Sequence, residues 1–228
     1  RKKGKYHSIQ LPHPWTESEL KKVEEEVLSE EIRGSDTRYW EDVVVGEELK
    51  PVVKGPIGLT DEVAYIAAGG APIPRLAAHG VSLRQYRKHP AWAFRDPNSY
   101  ALEPIFAVHY NKEAAKAMGL PMQYDVGFQR QCWQIHLLTN WMGDEGWLNQ
   151  TYAEYRRFVY HSDVVWVKGK VTKKYIDDNG EPCVDIETNA VNQRGEEIMP
   201  GHATILLPSR EHDAWPLNHR LGAARPVK

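Results

Sequence analysis

The second half of the chain alternates apolar and polar residues with the period of two that is typical of β-strands. Val165, Val167 and Val171 share one side of such a strand, and Asn179-Gly180 then supplies the residues of a tight hairpin turn. The alternation resumes after this turn, and again after a second turn at 192–195. The pattern therefore predicts an antiparallel meander of strands near 164–171, 184–190 and 198–207.

Other segments repeat their apolar residues with the spacing of an α-helix. The longest runs from Phe128 to Met142, and its second half is apolar nearly all round, which indicates a buried helix. A capping box at Thr16 predicts a charged helix that ends near Arg33, before Gly34. The remaining expected elements are short: helices at 62–68 and 112–118, and strands at 43–45 and 49–59.

These elements describe an α+β chain in which one long helix precedes a run of antiparallel strands. A curled antiparallel sheet wrapped around that helix would bury the helix and the inner face of the strands, and this arrangement is the hotdog fold. We therefore predict a hotdog fold in a chain of three regions. They are an N-terminal arm and linker helix (1–36), the hotdog domain (37–208) with an insertion at about 71–100, and a C-terminal tail (209–228).

Composition and charge narrow the possible functions. The 228 residues include 31 acidic and 29 basic side chains, for a net charge of -2, and the basic ones are too scattered for a nucleic-acid surface. No apolar run reaches the length that spans a membrane, so we expect a cytoplasmic protein with no nucleic-acid or membrane partner. The histidines are dispersed and Cys132 and Cys183 lack metal-site spacing, so no metal is expected. The chain also lacks the G-x-S-x-G, P-loop, H-E-x-x-H and Rossmann glycine motifs.

Three stretches of the sequence match the motifs of a known family in order. They are Tyr39–Gly46 with Thr60-Asp61, the segment from His109 to Gly127, and the segment from Val191 to Pro208. The last is the most specific, because its Asn192-Gln193 turn, the following Gly195 and the closing Leu207-Pro208 all match. The chain thereby resembles MaoC-like hydratases, the R-specific enoyl-CoA hydratases and acyl dehydratases, over most of residues 39–208. It resembles the second half of long members that carry two hotdog halves.

The resemblance implies a catalytic arrangement. In such hydratases an aspartate and a histidine five residues later activate water, and a glycine amide at the start of the buried helix polarises the thioester carbonyl. His109 occupies the place of the histidine, but Pro104 stands where the aspartate is expected. Gly127 matches the glycine. Asp125, two residues before it, is a candidate catalytic carboxylate whose alternative role is to cap the helix.

The same resemblance implies which residues bind the substrate. Gly127 is expected to donate to the thioester carbonyl, and Tyr124 begins the segment that replaces the family's alanine-histidine-glycine. Arg130 is expected to meet the phosphates of coenzyme A, with a solvated basic face as the alternative. No cofactor is expected other than coenzyme A as a part of the substrate. His136, in the middle of the helix, is expected to be neutral with one internal partner.

The predicted function is the reversible hydration of a 2-enoyl-CoA, with His109 as the acid–base group. Because the aspartate is missing at Pro104, a second possibility is a non-catalytic or half-catalytic subunit of a heteromeric hydratase, whose partner chain supplies the catalytic pair. A third is a hotdog acyl-CoA thioesterase with Asp125 as its carboxylate. Hotdog domains pair through their sheet edges, so we expect a homodimer or a heteromer with another hotdog chain.

Overall fold

The computed structural model describes residues 9–69, 79–212 and 216, and its helices and strands are interleaved along the chain. Three short 3-10 helices at 40–42, 90–92 and 105–109 complete the secondary structure. The helices are α1 (Glu17–Leu28), α2 (Leu59–Gly69), α3 (Gly80–Lys88), α4 (Lys112–Ala117) and α5 (Gly127–Met142). The strands are β1 (Val52–Lys54), β2 (Ala93–Arg95), β3 (Leu102–Pro104), β4 (Trp147–Ala153), β5 (Val165–Ile176), β6 (Pro182–Asn192) and β7 (Glu197–Leu206).

The chain divides into two compact units. The first unit draws on residues 1–16, 55–129 and 158–163, and the second on residues 17–54, 130–157 and 164–228. These ranges do not coincide with the three regions expected from the sequence, whose boundaries stay predictions. None of the helices in the described part of the chain is long and apolar enough to cross a lipid bilayer.

The second unit contains a five-stranded antiparallel sheet in the order β1-β5-β6-β7-β4. The predicted Asn179-Gly180 turn joins β5 to β6, and Val171 pairs with Ile186 across them. The pairing register shifts at three places along the long strands, one in each of the pairs β5–β6, β6–β7 and β4–β7. Such bulges increase the local twist, which accounts for the strong curl of this sheet.

Residues 130–142 of α5 pack against the sheet within the second unit. Leu137 and Leu138 are buried, and Gln134, which is also buried, donates from its amide to Tyr152 O (3.0 Å) on β4 and to Thr188 Oγ1 (2.7 Å) on β6. The amide of Gln134 therefore joins the helix to two strands, and its buried polar atoms have the partners that burial requires.

The helix approaches β5 closely at Gly169. A Cβ atom at this position would lie 2.9 Å from Leu49 Cδ2 and 3.3 Å from Leu137 Cδ2. A glycine in the interior of a strand normally weakens it, but here it leaves room for two side chains that cover the sheet. The close packing of α5 on the sheet thus depends on the missing side chain at one position of β5.

The first unit has a smaller core, formed by Ala107, Val108 and Ala114 with partly buried aromatic and aliphatic neighbours. Its β2–β3 hairpin is closed by Asp96, whose carboxylate accepts from the Asn98 and Ser99 amides and from the side chain of Asn111. These bonds, that from Asn111 above all, lower the pKa of Asp96 to about 2. The hairpin and α3 belong to the insertion expected at about 71–100, of which residues 71–78 lie outside the described part of the chain.

The structure differs from the predicted elements near the N-terminus. The first helix ends at Leu28 rather than near Arg33, because the following segment is held by the end of α5: Arg33 N donates to Asn140 O (3.2 Å), and Asp144 N donates to Gly34 O (2.8 Å). The strand expected at 43–45 is absent from this described segment, and only Val52–Lys54 of the strand expected at 49–59 forms. Most of the C-terminal tail expected at 209–228 lies outside the described residues.

The contact at Gly169 leads to a test of stability. We expect Gly169→Val to reduce the free energy of unfolding by about 1–3 kcal/mol, the usual cost of overpacking, because the new methyl groups would collide with Leu49 and Leu137. Urea denaturation followed by tryptophan fluorescence measures the change. Lys170→Val, at an exposed position of the same strand, is the control and should change stability by less than about 0.5 kcal/mol. Equal effects of the two variants would contradict this account.

Candidate functional site

His109, the predicted acid–base histidine, lies at the end of the 3-10 helix 105–109 in the first unit and is 9% exposed. Its Nδ1 atom is 2.9 Å from the carbonyl oxygen of Tyr124. A carbonyl oxygen only accepts hydrogen bonds, so Nδ1 carries the proton in the neutral ring and Nε2 is the basic nitrogen. The imidazole is therefore oriented with a defined tautomer, which a general base requires.

Aromatic rings surround this imidazole within the first unit. The ring centre of Tyr124 is 4.7 Å from that of His109 in an edge-on arrangement, and the ring of Phe106 is at 5.5 Å. Phe158 extends the cluster with a ring centre 4.6 Å from that of Tyr124. These rings pack around His109 and help to fix the orientation of its imidazole.

A second histidine supports the backbone of the first. His161 Nε2 donates to the carbonyl oxygen of His109 at 2.8 Å. Burial lowers the pKa of His161, against the opposing effects of this hydrogen bond and of the charge on Asp61. The lowered pKa favours the neutral ring of His161. Its hydrogen bond to the carbonyl of His109 stabilises the last residue of the 3-10 helix.

The segment from Tyr124 to Val126 leads into α5 and pairs with a neighbouring strand-like segment at 158–161. Asp125 N donates to Val159 O (2.8 Å), and Tyr124 and Tyr160 form an antiparallel bridge. In an extended chain the backbone groups of residues 124 and 126 project to the side opposite to those of residue 125. That opposite side is where Tyr124 O meets His109, and where Val126 N donates to Glu62 Oε2 at 3.1 Å.

Glu62, on α2, is a fully buried carboxylate that the sequence analysis did not single out. Besides the Val126 amide, its oxygens accept from the side-chain amide of Gln129, whose nitrogen, turned toward the carboxylate, is 2.8 Å from Oε1. Two N–H donors and the N-terminal end of a helix stabilise the ionised form of such a group. The sequence carried one signal of this buried carboxylate. Glu62 and Ile66, both buried in the structure, are four residues apart, and this spacing places them on the same face of a short helix.

Asp125, the predicted catalytic carboxylate, is also fully buried. Its Oδ1 accepts from Val159 N at 3.3 Å, and its own amide donates to Val159 O. These contacts tie Asp125 to the 158–161 segment, so they give its carboxylate a clear structural role. A catalytic role for Asp125 stays a prediction.

Gly127 is the first residue of α5, the position expected for the donor to a thioester carbonyl. The amides at the start of a helix lack acceptors within the helix and form the positive end of its dipole. The amide just before it, that of Val126, is already bonded to Glu62. The side chain of Glu62 therefore already takes up one of the donors at the end of the helix where Gly127 would meet an oxyanion.

Arg130 belongs to the second unit, where it is buried. Its guanidinium donates to Arg157 O at 2.7 Å and lies 5.2 Å from the ring centre of Tyr155. The alternative of a solvated basic face therefore does not describe Arg130. The expected contact with the phosphates of coenzyme A stays a prediction.

At the sequence position of the family's aspartate this chain has a proline. Pro104 is buried at the end of β3. The preceding Glu103 pairs with Phe94 across the hairpin, and its charge adds to burial in raising the pKa of Tyr86 on α3. Among the described residues no group of three or more histidine, cysteine or acidic side chains is arranged to hold a metal ion.

The second unit contains a groove of about 790 Å³. Its charged side chains pair with one another, since Arg38 contacts Glu47 and Arg33 donates to Asp36 at 3.0 Å. The indole nitrogen of Trp141 also donates to Glu47 (2.9 Å). These ionic groups thus have internal partners, and their arrangement does not define a ligand.

Comparison with known proteins identifies the fold. No family model and no curated protein sequence matches the chain. Among solved structures, it is similar to the R-hydratase PhaJ1 from Pseudomonas aeruginosa, with a TM-score of 0.55 and 16% identity over 76% of this chain and 88% of that one. An (R)-hydratase from A. caviae involved in PHA biosynthesis gives a TM-score of 0.52 and 17% identity over 74% and 99%. A MaoC-like dehydratase gives 0.52 and 18% over 77% and 44%.

These similarities confirm the predicted fold. The chain has the α+β hotdog fold that MaoC-like dehydratases and R-hydratases share, with a curled antiparallel sheet and a long helix. It matches somewhat under half the length of the MaoC-like dehydratase. At these identities the comparison bears on the fold, and the activity has to be argued from the site.

Proposed function

We propose that this chain is a MaoC-like acyl-CoA hydratase, which adds water reversibly across the double bond of a 2-enoyl thioester. The observation that supports this most is the geometry of His109, a buried imidazole whose Nδ1 lies 2.9 Å from Tyr124 O. With Nδ1 donating to that carbonyl, Nε2 is the nitrogen that takes the proton of a water molecule in the proposed reaction. The shared fold adds support, and no cofactor is needed beyond the coenzyme A of the substrate.

The reaction requires two proton movements and one site for negative charge. As the water oxygen bonds to the β-carbon, His109 Nε2 takes a proton from the water, and the imidazolium then delivers that proton to the α-carbon and becomes neutral again. Charge that develops on the thioester oxygen meets the amide of Gly127 at the start of α5. The ring of Tyr124, at the edge of His109, borders the place where the acyl group would lie.

Glu62 takes over the electrostatic role of the aspartate that Pro104 replaces. When His109 accepts a proton it becomes an imidazolium ion, which is costly in apolar surroundings. Glu62 and His109 contact the same side of the 124–126 segment, so the carboxylate stabilises that ion, as an acidic residue does in a catalytic triad. Glu62 is thus a positioning residue, which acts through His109 and does not touch the substrate.

Two other functions have an observation in their favour. The carboxylates of Glu62 and Asp125, buried beside the first residues of α5, also suit a thioesterase, which would hydrolyse the substrate and release free thiol. Pro104 at the aspartate position favours a subunit whose partner chain supplies the catalytic pair. Thiol release and activity of the isolated chain distinguish these two from a self-sufficient hydratase.

The proposed partner is a second hotdog chain, in a homodimer or a heteromer. Within the described part of the chain, strand β4 lies at the end of the sheet and pairs with β7. The end strand of a sheet can add a strand from another chain. Tyr152 on this strand is 48% exposed, and exposed tyrosines are frequent at interfaces.

The central prediction concerns His109. The purified chain should consume the absorbance of crotonyl-CoA or of a longer 2-enoyl-CoA without releasing thiol, and His109→Ala should lower kcat by about 10²–10⁴-fold, the usual contribution of general acid–base catalysis. Circular dichroism would verify that the variant is folded. A folded variant that keeps most of its rate would refute the role of His109, and thiol release would identify a thioesterase.

A matched pair of variants separates the two buried carboxylates. Glu62→Gln retains an acceptor for Val126 N but removes the charge, so we expect kcat to fall about tenfold, equivalent to one unit in the pKa of His109. The acidic limb of the pH–rate profile should move to lower pH, because loss of the negative charge makes imidazolium less stable. Asp125→Asn retains an acceptor for Val159 N, so an unchanged rate and profile would leave Asp125 with its structural role alone. The reverse result would assign the catalytic carboxylate to Asp125.

The edge of β4 gives a prediction for assembly. Light scattering should find a dimer or larger species, and Tyr152→Lys should weaken it, because a charged residue on an edge strand opposes pairing with another chain. Tyr100→Lys, at a site that is also exposed but lies in the first unit, should not. A monomeric wild-type chain, or equal weakening by the two variants, would contradict the proposed interface.

A further inference from the structure

The second unit contains a polar cluster that the proposed hydration does not use. It joins Lys54 at the end of β1, His136 in the middle of α5 and Glu30 after α1. Lys54 Nζ is 2.7 Å from His136 Nδ1, and His136 Nε2 contacts Glu30 Oε1. Asn140 donates to the same carboxylate oxygen at 2.5 Å. His136, expected to have one internal partner, thus bridges an ammonium and a carboxylate.

The protonation states follow from these contacts. Burial would raise the pKa of Glu30, but the hydrogen bond from Asn140 and the charges of His136 and Lys54 lower it overall, so this carboxylate is ionised at neutral pH. An ionised carboxylate only accepts, and Nε2 of His136 must therefore carry a proton. In the neutral ring Nδ1 is then the lone-pair nitrogen, and it accepts from the ammonium of Lys54.

Lys54 holds its proton less tightly than an exposed lysine does. Burial lowers the pKa of Lys54, although the charge of Glu30 opposes this effect. Transfer of one proton from Nζ to Nδ1, across the 2.7 Å contact, turns Lys54 into a neutral amine and His136 into an imidazolium ion. The net charge of the cluster does not change, and the imidazolium gains an ion pair with Glu30. Such a nucleophile, base and orienting carboxylate form the arrangement that activates nucleophiles in enzymes.

We propose that Lys54 is a nucleophilic amine, activated by His136 and Glu30, which takes acyl groups from thioesters. In this step the neutral Nζ attacks the thioester carbonyl carbon, the C–N bond forms and the C–S bond breaks. The thiolate that leaves takes the proton held by His136, and the attacking nitrogen passes its surplus proton to the imidazole, which releases it to solvent. The products are an amide at Lys54, a free thiol and a proton. The reaction needs no other reactant, and it does not depend on the proposed hydratase activity.

Reagents can reach the cluster from solvent. The side chain of His136 is 35% exposed and that of Glu30 is 23% exposed, and Lys54 is partly exposed. Lys168 and Lys170, on β5 in the same unit, are exposed lysines. They serve as internal standards for the reactivity of a lysine without an imidazole partner in the described part of the chain.

The test compares acylation rates of individual lysines in the intact protein. The protein is incubated with acetyl-CoA at neutral pH, and the acetylated fraction at each position is followed by peptide mass spectrometry. We expect Lys54 to react at least about tenfold faster than Lys168 or Lys170, the ratio that one unit of pKa gives. Equal or slower reaction of Lys54 in the wild-type protein overturns the proposal.

Two variants test the mechanism. His136→Gln keeps a hydrogen-bonding partner for Lys54 but cannot take its proton, so the excess reactivity should disappear. Glu30→Gln keeps an acceptor for His136 but removes the charge, and should give an intermediate rate. Circular dichroism checks that each variant is folded, and the wild-type comparison stands even if one is not. A folded His136→Gln protein whose Lys54 remains fast would also overturn the proposal.

Discussion

The close packing of α5 on the curled sheet is the constraint on which the second unit depends. The sheet acquires its curl from register shifts in three strand pairs, and the helix fits it because Gly169 has no side chain. Burial of apolar side chains such as Leu137 supplies most of the stabilisation, whereas the bonds from Gln134 to β4 and β6 fix the orientation of the helix. Polar contacts of this kind contribute specificity to an apolar core.

Several residues at the start of α5 are buried, among them Asp125, Val126 and Gln129. This burial determines which chemistry is available there. The first amides of a helix need acceptors, and Glu62 provides one for Val126. The same carboxylate brings a negative charge into apolar surroundings on the side where His109 contacts Tyr124 O. In the proposed hydration this one residue serves both the stability of the helix and the basicity of His109. The same proposal leaves a substrate oxygen at Gly127 with a weaker positive field, so it relies on proton transfer more than on oxyanion stabilisation.

The parts of the fold that could be predicted are those governed by local patterns. Alternation and the Asn179-Gly180 turn predicted β5 and β6, and helical spacing predicted α5 to within one residue at its start. Strand β4 has no such alternation, because exposed polar residues occupy much of it. The prediction that α1 ends near Arg33 was wrong, and the helix ends at Leu28. Backbone hydrogen bonds between distant segments decide this end, among them the bond of Arg33 with Asn140.

The same distinction between local sequence patterns and contacts of distant segments applies to the candidate site. His109 was found from a motif, whereas Glu62 lies 47 positions earlier, directly after the matched Thr60-Asp61 but outside the motif, and only the fold brings it to Val126. Lys54 and His136 are likewise far apart in sequence. A linear pattern can identify residues with suitable chemistry, but the partner that sets a proton's position is a tertiary contact.

His109 and His136 show how that partner decides the chemistry of otherwise equal side chains. A backbone carbonyl accepts the proton of His109 Nδ1, and a neutral acceptor orients the ring while it adds little to its basicity. The ring of His136 contacts the carboxylate of Glu30 at Nε2 and the side-chain nitrogen of Lys54 at Nδ1. In the proposed hydration, His109 acts on a water molecule with the help of Glu62, which contacts the 124–126 segment and not the imidazole itself. His136 has its carboxylate in direct contact and a lysine as its other partner, which is the arrangement that we propose activates an amine.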